Sequence, residues 1–420
     1  MSVLPAARPR VRAGAVVAAT AALLLGVSAC ASSKSSGGGS SSSSGQSAAA
    51  APSGSFPGKK ATGSPVKVGL INNENGPTVS EPAAREAAQA VVKYANDNLG
   101  GLAGHPIDLV ICKQQEDPAS AANCANQMVG AGVVAVVITE TAQGDAMQPI
   151  IAKASIPYVS YLAASSSELT GKDYTYAWTS GFGGLLSGFA KYAGTQSVKD
   201  FTMYVQNVGT IAQGAKALGT PYFQAAGVTL NVVPIPASAP DVTPQVSAGI
   251  SNKPGAIGII GNDTVCISTL KALQTLSYSG IRLANQSCTD PAVFTALGSA
   301  LNGLKVVSAA DTVGSDPEAV LYRAIMAKYA PGVATAGPAV AGYQSMLGFV
   351  RAAAGVSDPI TAASVNTAIK TAKAVAIPAG DGGTMTCDGT AAQGQPSVCS
   401  TAVIIETVQN GAVAEPQLVK

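Results

Sequence analysis

The chain has 420 residues, 25 Lys plus Arg against 23 Asp plus Glu, and a net charge of +2. With only 11% charged residues it carries neither a basic field for nucleic acid nor an acidic tail. Its length exceeds a single domain of about 100–200 residues, so at least two compact units are expected.

At the N-terminus Arg8, Arg10 and Arg12 precede a nearly unbroken apolar run, Ala13 to Gly26. Such a run is too short for a comfortable membrane span and suits a signal-peptide core. It ends in Val27-Ser28-Ala29-Cys30, which resembles the bacterial lipobox; the alternative is an ordinary small-residue cleavage site with a chance cysteine. On the lipobox reading, 1–29 is a signal peptide and Cys30 is lipidated. Residues 30–64 are mostly Ser, Gly and Ala, too poor in apolar surface to offset chain entropy, and are expected to form a flexible tether. The body would then sit on the outer face of the cytoplasmic membrane, held to the bilayer by its lipid. No second apolar run of about 18 residues follows.

From Val66 short apolar runs alternate with Ala-rich helical stretches. Val66 to Ile71 reads as a strand. Glu81 to Leu99 reads as a helix, because Ala84, Ala87, Ala88, Val91, Val92 and Ala95 recur at three- and four-residue intervals, and Gly100-Gly101 ends it. Strands follow at 107–112, 133–139 and 157–160, with helices at 118–129 and 145–154. The rhythm repeats as strands at 201–205, 228–234 and 256–260 with helices at 211–226, 242–252 and 264–276. Such βαβα alternation calls for mostly parallel sheets covered on both faces. Two such lobes leave a cleft between them, and ligands of these sheets bind outside the carboxyl ends of the strands.

Seven cysteines less Cys30 leave six, which can pair in fifteen ways. Sequence proximity suggests Cys112–Cys124, Cys266–Cys288 and Cys387–Cys399, each closing a local loop in an oxidising compartment. A metal site is the rival, but there is no CxxC and only one histidine, His105, in a Gly-His-Pro turn. No metal or cofactor is expected.

Several phrases in order resemble the branched-chain amino-acid type of periplasmic binding protein, the Leu/Ile/Val-binding family. They are VKVGLINNENGP at 66–77, YANDNLGGLAGHPID at 94–108, the Asp-Pro helix start at 117–128 and AKASIPYVSYLAASSSELT at 152–170. The likeness extends over 66–413. It implies the type I fold: α/β, with two Rossmann-like lobes of parallel sheet joined by three hinge crossovers. Lobe one would comprise 65–179 plus 311–375, and lobe two 180–310 plus 376–420. The resemblance further implies a small-molecule ligand, a trap that closes on it, and an ABC permease and ATPase as partners.

Position by position, the resemblance places Thr141 at the start of the helix after the third strand, against a ligand carboxylate. Ala163 and Ser165 fall at the turn that supplies a backbone group and a hydroxyl. Helix N-termini with hydroxyls suit such a role, though Ser165 followed by Glu168 is also a plain helix cap. In lobe two Asn207 stands where the family has a Tyr-Gly loop. The acid that grips an α-amino group has no clear counterpart near Asn285 to Cys288. Asp263, beside Asn262, could replace that acid or cap the following helix. Trp178 reads as hinge packing or ligand stacking, and Tyr158 and Tyr161 flank the serine turn. An enzyme is disfavoured, since His105 lies far from any serine nucleophile and no Gly-x-Ser-x-Gly elbow or phosphate loop occurs. The expected function is capture of a small polar ligand (an amino acid, amide or related small acid) for an importer; a sensor lipoprotein that signals to a partner is the alternative.

Overall fold

The computed structural model describes residues 51–419 except 77–79, 208–210, 238 and 240. The expected signal peptide at 1–29, the expected lipidation at Cys30 and the first part of the expected tether lie outside the described residues.

Lobe one opens with β1 (Val66–Asn73), α1 (Pro82–Asn98), β2 (Ile107–Gln114), α2 (Pro118–Ala131), β3 (Val136–Ile138), α3 (Gly144–Lys153), β4 (Tyr158–Leu162), α4 (Ser166–Thr170) and β5 (Thr175–Thr179). The strands form one parallel sheet in the order β2-β1-β3-β4-β5. Alternation along each strand feeds two cores. On β1, Val68 and Leu70 join the layer under α1, while Ile71 joins the layer under α2 and α3.

Lobe two continues with α5 (Gly181–Thr195), β6 (Asp200–Asn207), α6 (Ile211–Ala225), β7 (Thr229–Pro236), α7 (Thr243–Ile250), β8 (Ala256–Ile260), α8 (Asp263–Thr275), β9 (Ile281–Asn285), α9 (Pro291–Leu297) and β10 (Lys305–Ser308). The chain then returns to lobe one with α10 (Pro317–Tyr329), α11 (Ala339–Ala352) and α12 (Ala362–Thr371), followed by the small strands β11 (Val375–Ala376) and β12 (Thr384–Met385). It ends on lobe two with β13 (Val403–Gln409) and β14 (Ala412–Val419). The second sheet runs β14-β13-β10-β9-β8-β6-β7; β13 is antiparallel to β10, and β14 to β13. Again the sides divide, with Met203 and Val205 in one layer and Tyr204, Ile257 and Ile259 in the other.

The chain thus crosses between lobes three times: after β5, after β10 and before β13. The first crossing turns on Gly181, whose φ is +52°. A side chain there would strike the Ala163 carbonyl, so this turn requires glycine twice over.

Two boundaries differ from the sequence-based division. Residues 376–399 pack on lobe one, not lobe two: Ile377, Ala379, Met385, Cys387 and Cys399 belong to its core. The reason is an open sheet edge. Ala177 of the edge strand β5 donates to Ser397 and accepts from Cys399, so this segment covers backbone groups that would otherwise lie bare. Residues 55–64, expected in the tether, are docked on the same lobe. Lys59 and Ala61 donate to the Asn98 and Asn96 carbonyls, and Phe56 packs edge-on against Tyr94 with centroids 5.3 Å apart. One aromatic ring and a run of backbone bonds are enough to order chain that its composition marks as loose.

The structure carries the disulfides Cys112–Cys124, Cys266–Cys288 and Cys387–Cys399, with Cα separations of 5.6, 5.2 and 4.4 Å. Each stays within one lobe, so none obstructs a hinge. Among the described residues there is no cluster that could hold a metal and no helix long and apolar enough to cross a membrane.

Candidate functional site

A cavity of about 360 Å³ opens between the lobes, at the carboxyl ends of the strands of both sheets. From lobe one it is lined by Glu140 after β3, Tyr161 and Leu162 at the end of β4, Ala164 just beyond, and Glu81 ahead of α1. Gly337, Pro338, Val340 and Ala341 add the start of α11. The first crossover contributes Thr179, Gly181 and Phe182. Lobe two supplies Ile260, the run Asn285 to Ser287, Asp290, Val307 and Val403. The wall is mostly apolar, with polar groups at a few points, as small-molecule sites usually are.

Its electrostatics are one-sided. Glu81, Glu140 and Asp290 line the cavity, and none of the described lining residues is Lys, Arg or His. Burial, together with Glu140, Glu116 and Asp290, pushes the Glu81 carboxyl up to about 8. Its Oε2 is buried without a hydrogen-bond partner. Burial and the nearby Asp263 raise Asp290 to about 6. Burial also raises Glu140, although the Tyr161 hydroxyl donates to its Oε2 at 3.1 Å and opposes the shift. Arg85 and Lys113, on lobe one, both pair with Glu74, at 2.6 and 2.9 Å.

Of the residues singled out from sequence, Tyr161 lines this cavity, whereas Thr141, Ala163, Ser165, Asn207, Asn262 and Asp263 are not among its lining residues. Thr141 is buried just ahead of α3. Its hydroxyl donates to Glu116 and accepts from Gln114 Nε2 and the Gln143 N–H, while the Ala142 N–H donates to Glu116 at 2.6 Å. Ser165 begins α4 and accepts from the Glu168 N–H. Glu168 in return accepts from the N–H groups of Ala164 and Ser165, at 3.0 and 2.9 Å, and from the Tyr158 hydroxyl. The Thr141 hydroxyl and the N–H groups of Ala142, Ala164 and Ser165, at or beside the positions that the resemblance offers to a ligand carboxylate, are therefore engaged by two carboxylates of the chain itself, Glu116 and Glu168. Gly144 allows this closure, since a Cβ there would collide with Glu168 and Ser165.

In lobe two Asn207 is exposed at the end of β6. Asn262 caps α8 by accepting from the Val265 N–H at 3.0 Å, and Asp263 accepts from Thr264 in the first turn. Ala163 sits behind Gly181. Trp178 is fully buried and donates from Nε1 to the Ser345 carbonyl, the packing role of the two considered. The residues that sequence reasoning missed are Glu81, Glu140 and Asp290. Asp290 was close to view: it stands two residues beyond Cys288, the end of the stretch searched for an acid, and precedes Pro291, a helix-start signal. Glu81 and Glu140 each follow a strand by a few residues, but nothing local marks them as facing a cleft.

Residues 65–398 match the family model described as periplasmic binding protein. No curated protein matches the chain in sequence. Among solved structures, an ABC transporter substrate-binding protein from Sphaerobacter thermophilus is similar at TM-score 0.70 and 17% identity, covering 85% of this chain and 97% of that one. The branched-chain amino-acid transporter substrate-binding protein from Streptococcus pneumoniae, in complex with isoleucine, is similar at 0.66 and 19%, covering 84% and 99%. A fatty acid ABC transporter substrate-binding protein from Thermomonospora curvata is similar at 0.67 and 16%, covering 87% and 93%. At these identities the likeness establishes the fold, type I with two α/β lobes, and the family match supplies the rest: this chain belongs to the periplasmic binding protein family, extracytoplasmic solute receptors rather than enzymes.

Proposed function

We propose that this protein is the lipid-anchored receptor of an ABC importer, and that it captures a small polar solute in the cleft between its lobes. The observation that carries the reading is the cavity itself, about 360 Å³ and lined from both lobes at the carboxyl ends of both sheets. A solute that touches both walls favours the closed arrangement by the difference in its affinity for the two states, which is how a trap signals occupancy to a permease. Neither a lobe-spanning disulfide nor a metal, among the described residues, opposes that hinge. The lipobox-like Val27-Ser28-Ala29-Cys30 supports anchoring through Cys30.

One similar solved structure is a complex with isoleucine and another carries fatty acid in its name, so the fold alone does not choose the solute. A melting-curve panel of amino acids, amides, amines and small acids tests the reading on the secreted protein. The cognate solute at a hundred times its Kd should add about 2.7 kcal/mol of stability. In the same cells Cys30→Ala should abolish palmitate labelling. A panel without any shift, or a wild-type protein that takes up no palmitate, would count against the corresponding half.

A further inference from the structure

Resting on the cleft being the solute site, we propose that its solute class is an organic ammonium with an apolar body and no carboxylate, such as an alkyl- or aralkylamine, held between carboxylates of both lobes.

Three observations converge. First, carboxylates reach the cavity from each lobe, Glu81 and Glu140 from one and Asp290 from the other, and no cation stands among the described lining residues. The undescribed residues between 66 and 419 carry no charged side chain either. In the empty cleft protons relieve the repulsion among these acids, and a positive partner from outside would relieve it in their place. One oxygen of Glu81 is buried and unpartnered, the state of a group awaiting a donor. Second, the positions where the family resemblance would seat an anion are closed from within. Glu116 takes the Ala142 N–H and the Thr141 hydroxyl, and Glu168 takes the N–H groups of Ala164 and Ser165. At α11, Pro338 has no N–H, and those of Val340 and Ala341 donate back to Gly337 and Pro338. At those positions a ligand carboxylate would meet Glu116 and Glu168 in place of free donors, which leaves the first turn of α5 as the other donor-bearing part of the wall. Third, the remaining wall is apolar and partly aromatic, with Leu162, Phe182, Ile260 and Val307 among its members. A hydrocarbon body fits such a wall, and an aromatic ring is a favourable neighbour for a cation.

A further consequence is a proton count. The groups that act on Glu81 are Glu140, Glu116 and Asp290, and Asp263 acts on Asp290; all are acids. With Glu81 held near 8, it carries its proton at neutral pH in the empty cleft. An incoming ammonium favours the ionised form, so that proton leaves to buffer as the ion pair forms.

The test uses 2-phenylethylamine, phenylalanine and 3-phenylpropionate, which share a ring and differ in charge. Calorimetry on the full secreted protein at pH 7, in two buffers of different ionisation heat, reads both affinity and protons. The expected result is that the amine binds at least about tenfold tighter than phenylalanine, that 3-phenylpropionate gives no heat, and that proton release accompanies the amine. Glu81→Gln should reduce the proton release, and Asp290→Asn should weaken the amine about tenfold or more. The wild-type proton count does not depend on either variant folding. Tighter binding of phenylalanine or the propionate would assign a carboxylate to the first turn of α5 and overturn the amine, while leaving the cleft a solute site. No response to any of the three at about 10 mM would also overturn it, and the wider panel would then decide the solute reading alone.

Discussion

The Glu81 carboxyl is the residue on which the chemistry of this cleft turns. It stands before α1 because Pro82 starts that helix, and its backbone is pinned by bonds to Asn73 and from Asn72. Its side chain is thereby presented to Glu140 and Asp290 without a counter-charge. A carboxyl lifted from 4.5 to about 8 binds its proton more tightly folded than unfolded. The stability it gives is therefore fully present below its unfolded value and is lost as pH rises through the folded one. Glu406, raised to about 8 by burial and by Asp311, acts with the same sign outside the cleft. The melting temperature of the empty protein should fall between about pH 5 and pH 8, and Glu81→Gln should flatten part of that fall. An unchanged slope in the variant would place the titration elsewhere, with Glu406 the first alternative.

At the scale of elements, α4 shows how a short helix can consume a binding motif. Five residues long, it is stabilised by a reciprocal cap: Ser165 accepts from Glu168, and Glu168 accepts from Ser165 and Ala164. Ser165→Ala should cost about 1 kcal/mol of stability, the usual value of such a cap, and leave solute affinity unchanged. Denaturant melts and calorimetry on one preparation separate the two effects. A loss of about 0.5–1.5 kcal/mol in affinity would instead return that hydroxyl to the ligand. Ser-x-x-Glu at 165–168 is legible in the sequence as both a cap and a family motif; the structure shows the cap, with Glu168 packed against Tyr158 and Gly144. Most strands and helices from Val66 to Leu276 were legible because their apolar residues repeat every second or every third to fourth position, whereas β5 and α5 were not read from the sequence. Boundaries blurred where burial on both sides erased the pattern, as at β3, expected over 133–139 and found at Val136–Ile138. Residues 376–399 were illegible for a different reason: their place is set by the bare edge of β5, a strand some two hundred residues earlier.

At the largest scale the described residues form two three-layer lobes sharing one cleft, with hinges left free by strictly local disulfides. Its fold was readable from rhythm, whereas the cleft wall was not, because Glu81, Glu140 and Asp290 are separated by up to about two hundred residues and meet only through topology. That meeting is what makes the cleft a solute site. The most direct test is calorimetry of Ser287→Trp with the tightest solute from the amine, amino-acid and acid panel, alongside a melting curve to confirm folding. Ser287 lines the cavity from lobe two without belonging to its core, so an indole there fills the space and leaves the sheet intact. The expected result is a folded protein whose affinity falls by more than about tenfold, or 1.4 kcal/mol; a folded variant that binds as tightly as wild type would show that the solute sits somewhere other than between the lobes.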